Sequence, residues 1–574
     1  MGYNGRMVRK AVAALAFIVI AGAVGAYADT DLQVEAGFAG QVMDEAVTPV
    51  RVRVEHQGQL LEGRLVLSQT VETPWHGVFT ETLSQPVRLG QRASQNWTLL
   101  FPLHATVYPL QVRLENESGE VVARQELDLR DVSHTGPFVI ALSETGFPGA
   151  LPSGETVFSV SAQDIPSHAA AFASIQRLYM GRFDPNTLKP NQQQALLHWV
   201  MLGGELVLLT GANWYVQQAP WLAPWLPLEP EAVQGVTLQG VVAPVLTGKV
   251  RGEVAWQMEG FPILLERTVG RGRIWLATID PLAVEAPAEL WKALQGGVPL
   301  EGEINFEDAA REAFLQQVLP YPGRTLIAAL LGVFVGIAGL LTWWTVRRPL
   351  TWPALAGWPA VAGVALWLIL QPHHARPLTM SEYGLDLALP DGTVYEQTWL
   401  GMFALRKEPL ALSFSAQTAV SQRLPTDRGQ HLFDLEYRLD PGVDVVFQAQ
   451  PQQLRQLVLA AEGGAAPLIW TWEGDLDLRV QSPLKLERAW LLHRGIVYDL
   501  GALSPDKAKE YRLNQLPRLE LSKQLPKAIA QLWAWALEQQ PHATVLGAWH
   551  QEPGSYANLD PGQTYRLIVA EVGL

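Results

Sequence analysis

From Leu32 to Val132 apolar and polar residues alternate, as in VRVRVEH (Val50 to His56), GRLVLSQ (Gly63 to Gln69) and YPLQVRLEN (Tyr108 to Asn116). A period of two turns one face of each segment to a core and the other to water, which is the signature of a strand. Short strands divided by Gly, Asn and charged turns predict an antiparallel Ig-like β-sandwich over 29–134. At Pro137 the period changes. FVIALSE (Phe138 to Glu144), TVFSVSA (Thr156 to Ala162) and SIQRLYM (Ser174 to Met180) are apolar runs. In DPNTLKPNQQQALLHWVMLGGELVLLTG (Asp184 to Gly211) a helical stripe of Leu196, Leu197 and Val200 is stopped by Gly203-Gly204 and followed by a buried strand. FPILLERTVGRGRIWLATIDP (Phe261 to Pro281) reads as a hairpin turning at Gly270-Arg271-Gly272. Strands alternating with helices predict an α/β doubly wound domain over 136–282.

Two long apolar runs come next, Leu326 to Val346 and Trp352 to Leu370. About 20 apolar residues are needed to cross the bilayer core, so these predict a two-helix transmembrane hairpin, with spans 325–346 and 352–371. Arg347 and Arg348 begin the intervening turn, 347–351, which the positive-inside rule places in the cytoplasm. Gly332, Gly336 and Gly363 would let the two spans pack closely. Residues 283–323 read as a linker and an amphipathic helix, with Phe306, Ala310, Ala313, Phe314 and Val318 on one face. Period-two patterning returns over 376–574, in segments such as DLEYRLD (Asp434 to Asp440) and DLDLRVQ (Asp475 to Gln481). These predict a C-terminal β-rich sandwich, interrupted by one helix at Lys523 to Gln540.

At the start of the chain, Arg6, Arg9 and Lys10 precede an apolar stretch that ends in Ala26-Tyr27-Ala28. This predicts a signal peptide over 1–28. Together with the arginine turn it gives an inner-membrane protein with two spans and both large domains extracytoplasmic, in the periplasm.

Composition narrows the functional classes. A net charge of −14 argues against nucleic acid as a partner. Cysteine is absent, which removes disulfides and thiolate nucleophiles. The 12 histidines are scattered, and the adjacent pair His373-His374 follows the second span, so no metal site and no cofactor is expected. The 21 tryptophans fit cores and membrane interfaces, with sugar stacking as a further use.

The series D-P-x-x-L-x-P-x-Q-x-x-A-L-x-x-W-V-x-x-G-G-x-L-V-L-L-x-G, followed by a late G-x-G-R-I hairpin, resembles the class I glutamine-amidotransferase-like domain. That domain occurs in bacterial membrane-anchored envelope proteins, including auxiliary components associated with ABC-type transport. The resemblance implies a fold without its chemistry: the family's nucleophile is a cysteine, and here Gly211-Ala212-Asn213-Trp214 follows the ELVLLT strand.

No G-x-S-x-G elbow and no Gly-rich phosphate loop is present. In parallel sheets ligands bind beyond the carboxyl ends of strands, so Ser143, Glu144, Thr210, Asn213 and Asp280 mark a possible cleft. Hydroxyls and amides at such positions also close turns and cap helices. The expected function is that of a non-catalytic, membrane-anchored envelope protein presenting binding modules to protein or envelope-polysaccharide partners. An accessory subunit docking on an ABC-type permease is the first alternative. A divergent hydrolase using the Ser143 to Asp280 cleft is the second.

Overall fold

The computed structural model describes residues 30–295 and 378–571, with breaks at 74–76, 145, 153, 216–217, 239–240, 270–271, 283–287, 389–393, 405–406, 423–433, 440, 450–453, 463–467, 473–476, 494–495, 519–544 and 553–562; Arg311 and Trp343 are described singly. Strands dominate, and two α-helices are present among the described residues, Pro190–Met201 and Ala288–Gln295.

The alternating N-terminal segments form two facing layers. Thr30–Ala36, Ala46–His56 and Ala93–Leu103 make one sheet. The facing sheet is not made of N-terminal strands alone. Its order is Glu408–Phe414, Val443–Ala449, Leu435–Leu439, Gly77–Leu89, Leu61–Thr73, Leu110–Asn116 and Val121–Leu127. Leu435–Leu439 runs parallel to Gly77–Leu89, with Leu435 opposite Glu81 and Arg438 opposite Ser84. One continuous core follows, in which Val52, Leu67 and Phe101 pack with Met402, Leu412 and Val445. The expectation of one sandwich at each end is therefore corrected. A sheet edge left by the first segment is an unpaired row of N–H and C=O groups, and the later segment pairs it.

An eight-stranded sheet completes the C-terminal part, in the order Thr418–Ser421, Leu454–Glu462, Val394–Ala404, Leu378–Ala388, Gln563–Glu571, Val545–Glu552, Leu486–His493 and Ile496–Leu503. A small sheet of Ile469–Trp472, Asp477–Gln481 and Lys509–Arg512 packs with it through Leu478, Val480, Leu491 and Leu513.

Between these parts lies a mixed sheet ordered Val157–Val160, Phe138–Leu142, Ile175–Gly181, Glu205–Leu209, Gly272–Ala277, Phe261–Val269 and Glu253–Met258. The first five strands run parallel, Phe261–Val269 runs antiparallel to them, and Glu253–Met258 pairs antiparallel with Phe261–Val269. Pro190–Met201 ends at the glycine pair, where Gly203 takes φ +123° and Gly204 N donates to Trp199 O at 3.0 Å.

The expected doubly wound α/β domain does not form. One α-helix makes a crossover, and short 3-10 turns such as Ala162–Asp164 and Ala169–Phe172 take the place of others. An apolar parallel strand demands burial on both faces but does not dictate what supplies it. On one face Pro190–Met201 is joined by Tyr395, Ala419 and Ala460 from the eight-stranded sheet. On the other, the hairpin of Leu228–Leu238 and Val241–Val250 packs Leu238, Ala243 and Val245 beside Leu290, Trp291 and Leu294 of the second helix. At the Phe261–Val269 hairpin, a Cβ on Gly272 would stand 2.0 Å from Val200 O and 2.2 Å from Gly204 O, so this strand start admits only glycine.

Among the described residues no helix is long and apolar enough to cross a membrane. The transmembrane hairpin and the two-span inner-membrane placement are corrected on that finding. They rested on apolar runs, and hydropathy reports a demand for burial without saying whether lipid or protein meets it. The segments concerned, 325–346, 347–351 and 352–371 with Gly332, Gly336, Gly363, Arg347 and Arg348, lie outside the described residues. So do the leader over 1–28, the amphipathic helix at Asn305 to Val318, His373-His374, and the helix at Lys523 to Gln540.

Candidate functional site

The five residues expected to mark a cleft follow the carboxyl ends of three parallel strands, and two of them meet. Asp280, almost wholly buried, accepts hydrogen bonds at Oδ2 from Asn213 Nδ2 (2.7 Å) and Arg182 Nε (2.9 Å), and at Oδ1 from Leu282 N (3.0 Å). Thr210 is buried and donates to Ala277 O at 2.7 Å, which closes the sheet end and leaves its hydroxyl engaged. Ser143 donates to Gly146 O at 3.1 Å within its own loop. Glu144 is exposed, and its backbone N–H donates to Arg182 O at 3.4 Å. Asn213 and Asp280 thus form one cluster, Ser143 and Glu144 form the opposite lip, and Thr210 belongs to the core.

The hairpin covers half of this end. Leu246 N donates to Thr278 O at 2.7 Å, so Val241–Val250 lies over the ends of Glu205–Leu209 and Gly272–Ala277. The fit is tight at Gly211, whose φ is +70° and where a Cβ would stand 2.7 Å from Asp280 N and 3.1 Å from Pro244 O.

Arg182 was not among the expected residues. It follows Ile175–Gly181 directly and takes φ +50°, which is uncommon for a side chain of its size. A cation directly after an apolar strand was the available signal, in Gly181-Arg182. Its conformation and its partner 98 positions away were not.

Two further buried polar clusters join parts of the chain. His168 Nε2 donates to Gln417 O and Ala460 O, both at 3.1 Å, while its Nδ1 accepts from Ala170 N at 3.1 Å. Both ring nitrogens are engaged, which fixes a neutral ring with the proton on Nε2. Burial lowers the His168 pKa, and Glu462 opposes that shift. Glu462 accepts from Ala169 N, and His198 Nδ1 stands 3.6 Å from it. The ring of Tyr395 lies 5.8 Å from that of His198, and burial raises its phenol pKa. Arg51, in the N-terminal sheet, pairs with Asp164 at 2.8 Å. The mixed sheet is therefore tied to both neighbouring sheets through charged and polar contacts.

The second cluster is Glu81, His104 and Tyr437, all buried. Glu81 Oε1 accepts the Tyr437 hydroxyl, and Oε2 contacts His104 Nε2. Elsewhere buried Arg177 binds Glu205 (2.8 and 2.5 Å) and Glu155 (3.1 Å), and Tyr179 donates to Glu155 at 3.0 Å. Among the described residues no group of three or more His, Cys, Asp or Glu is placed to hold a metal ion.

Against known proteins, residues 29–130 match the model of a domain of unknown function, DUF8726. That stretch is well under half of the chain and lies outside 136–282. It gives no evidence for the amidotransferase-like resemblance; the doubly wound fold and the membrane hairpin expected beside it are the parts that the structure corrects. No curated protein matches the chain. Among solved structures, the chain is similar to the exo-beta-1,4-mannosidase Op5Man5 from Opitutaceae bacterium strain TAV5, at 14% identity and a TM-score of 0.20, over 29% of this chain and 35% of that one. It is also similar to the Fcho1 mu homology domain of Danio rerio with bound Eps15 peptide, at 12% identity and a TM-score of 0.19, over 34% and 97%. A third is the yeast delta-COP-I mu-homology domain complexed with a Dsl1 WxWxV peptide, at 7% identity and a TM-score of 0.17, over 34% and 95%. The chain spans about a third of the mannosidase's length, and TM-scores of this size define no shared fold.

Proposed function

We propose that this chain is a non-catalytic binding protein, in which tightly joined β-rich parts present a fixed surface to protein or polymer partners. One observation carries the reading. The carboxyl ends of the parallel strands, where a reacting ligand would sit, are half covered by the chain's own hairpin, with Leu246 N bonded to Thr278 O at 2.7 Å. The polar side chains left there hold the protein together: Thr210 closes the sheet, Arg182 neutralises Asp280, Asn213 donates to it, and Ser143 donates to a loop carbonyl. A hydrolase would need Ser143 paired with a base. Its hydroxyl is bonded instead to Gly146 O.

The test is to assay the purified full chain against ester, amide, glycoside and phosphate substrates, beside Ser143→Ala and Asp280→Asn. The expected outcome is no turnover that either substitution abolishes. Turnover lost in Ser143→Ala would overturn the proposal. In parallel, retention of the chain on defined immobilised polysaccharides separates a polymer partner from a protein one.

A further inference from the structure

We propose that Thr30 is a reactive hydroxyl, activated by His56, that accepts one acyl group from an activated ester. The inference goes beyond the binding reading above. It concerns the N-terminal sheet, not the strand ends of the mixed sheet, and a covalent adduct, not turnover.

The strand register brings the two side chains together. Thr30 opens Thr30–Ala36 and stands directly opposite His56, the last residue of Ala46–His56. Alternation puts both on the face that carries Leu32 and Val54, so the pair sits at the margin of the sandwich core. Asp31 and Glu55, the next pair, point to the other face, where Arg53 binds Glu55 at 2.5 Å. His56 is 6% exposed and Thr30 is half-buried, so the base is shielded while the threonine stays partly open to solvent.

Hydrogen bonds set the state of the imidazole. His56 Nε2 lies 2.5 Å from Gln59 O, and a carbonyl can only accept, so Nε2 carries the hydrogen. In the neutral ring Nδ1 is then the acceptor, and Thr30 Oγ1 donates to it at 2.8 Å. A nucleophile, a base and a third group that orients the base are thereby connected. Other hydroxyls of this chain are placed differently. Ser143, Thr210 and Ser84 donate to carbonyl oxygens, which cannot take up the proton as a hydroxyl attacks. An imidazole can.

In the proposed step Thr30 Oγ1 bonds to the carbonyl carbon of the ester, and its proton passes to His56 Nδ1. The bond from that carbon to the leaving group breaks, and the leaving group takes the proton from Nδ1. The products are a threonine ester and a free alcohol, phenol or thiol, with nothing oxidised or reduced.

The test treats the full chain with p-nitrophenyl acetate and locates acetyl groups by mass spectrometry of its peptides. Thr70, an exposed strand threonine bonded to Thr80 Oγ1 at 3.0 Å, is the internal reference. Thr30 should be acetylated about a hundredfold faster than Thr70, the contribution of a positioned base. Thr30→Ser keeps the hydroxyl and should keep the reaction, whereas His56→Gln should bring Thr30 down to the rate of Thr70. Amide exchange across Thr30–Ala36 checks that the strand pairing survives in His56→Gln. Where it does not, the comparison of Thr30 with Thr70 in the unaltered chain decides alone. Thr30 reacting no faster than Thr70 would overturn the proposal, as would equal Thr30 rates in the wild-type chain and a folded His56→Gln. No turnover is measured, so failure here leaves the binding reading to its own test, and turnover lost in Ser143→Ala would leave this proposal standing.

Discussion

The pairing of Leu435–Leu439 with Gly77–Leu89 can be tested through the carboxylate between them. Glu81 is wholly buried and accepts the Tyr437 hydroxyl, while Ser84 Oγ donates to Tyr437 O at 3.3 Å and Thr80 N donates to Asp434 Oδ1 at 2.7 Å. Burial holds the Tyr437 phenol well above its ordinary pKa of 10, and Glu81 adds to that shift, so the hydroxyl is a proton donor throughout the accessible pH range. Tyr437→Phe removes one donor from a buried carboxylate and leaves the ring's packing in place. Hydrogen bonds to charged groups contribute about 1.5–3 kcal/mol, which sets the expected destabilisation. Glu81→Gln replaces the carboxyl group that also contacts His104 and weakens the same bond. The double variant should therefore fall short of the sum of the single effects by about 1 kcal/mol or more. Unfolding of a chain with several cores need not be two-state. The assay is therefore native-state amide exchange across Gly77–Leu89 and Leu435–Leu439, where both strands should lose protection together. If Tyr437→Phe lies within about 0.5 kcal/mol of wild type, or the two effects simply add, the shared sheet is not held through Glu81.

The joint at His168 should loosen with acid. Its folded-state pKa is lowered by burial, so the fold favours the neutral ring; the stability this group contributes is present above its ordinary value near 6.5 and is lost as pH falls through that value towards the folded one. Amide exchange at Ala169–Phe172, corrected for intrinsic rates, should accelerate between about pH 7 and 5.5. His168→Asn keeps an acceptor for Ala170 N without titrating and should flatten the profile; an unchanged slope would exclude His168 as its source. Arg177→Met should destabilise the Ile175–Gly181 strand by about 3 kcal/mol, the lower end for breaking a buried pair, because Glu205 and Glu155 keep some contact with water. Urea titration of that strand's exchange checks it, and a loss under about 1 kcal/mol would mean the carboxylates relax into solvent.

Local elements were legible because local physics makes them. The stripe of Leu196, Leu197 and Val200, the stop at Gly203-Gly204 and the buried Glu205–Leu209 strand are each set by residues within a few positions of one another. Asn213 and Asp280 were legible as residues at the same end of the sheet, since both follow strands that run in parallel, but their contact was not. Arg182 was not, because its role depends on a backbone angle and on a carboxylate far along the chain.

What the sequence determined alone, then, was where strands and one crossover helix form, and that the strands between Phe138 and Ala277 require burial on both faces. Period and turn chemistry act over a few residues and settle those matters without distant help. Only the tertiary structure decided what meets that demand: a hairpin on one face, a foreign sheet beside Pro190–Met201 on the other, and Leu435–Leu439 closing an edge 354 positions from its neighbour. Apolar surface and unpaired strand edges are non-directional in sequence, so any segment of matching shape can satisfy them. The choice among such segments is made by the packing of the whole chain.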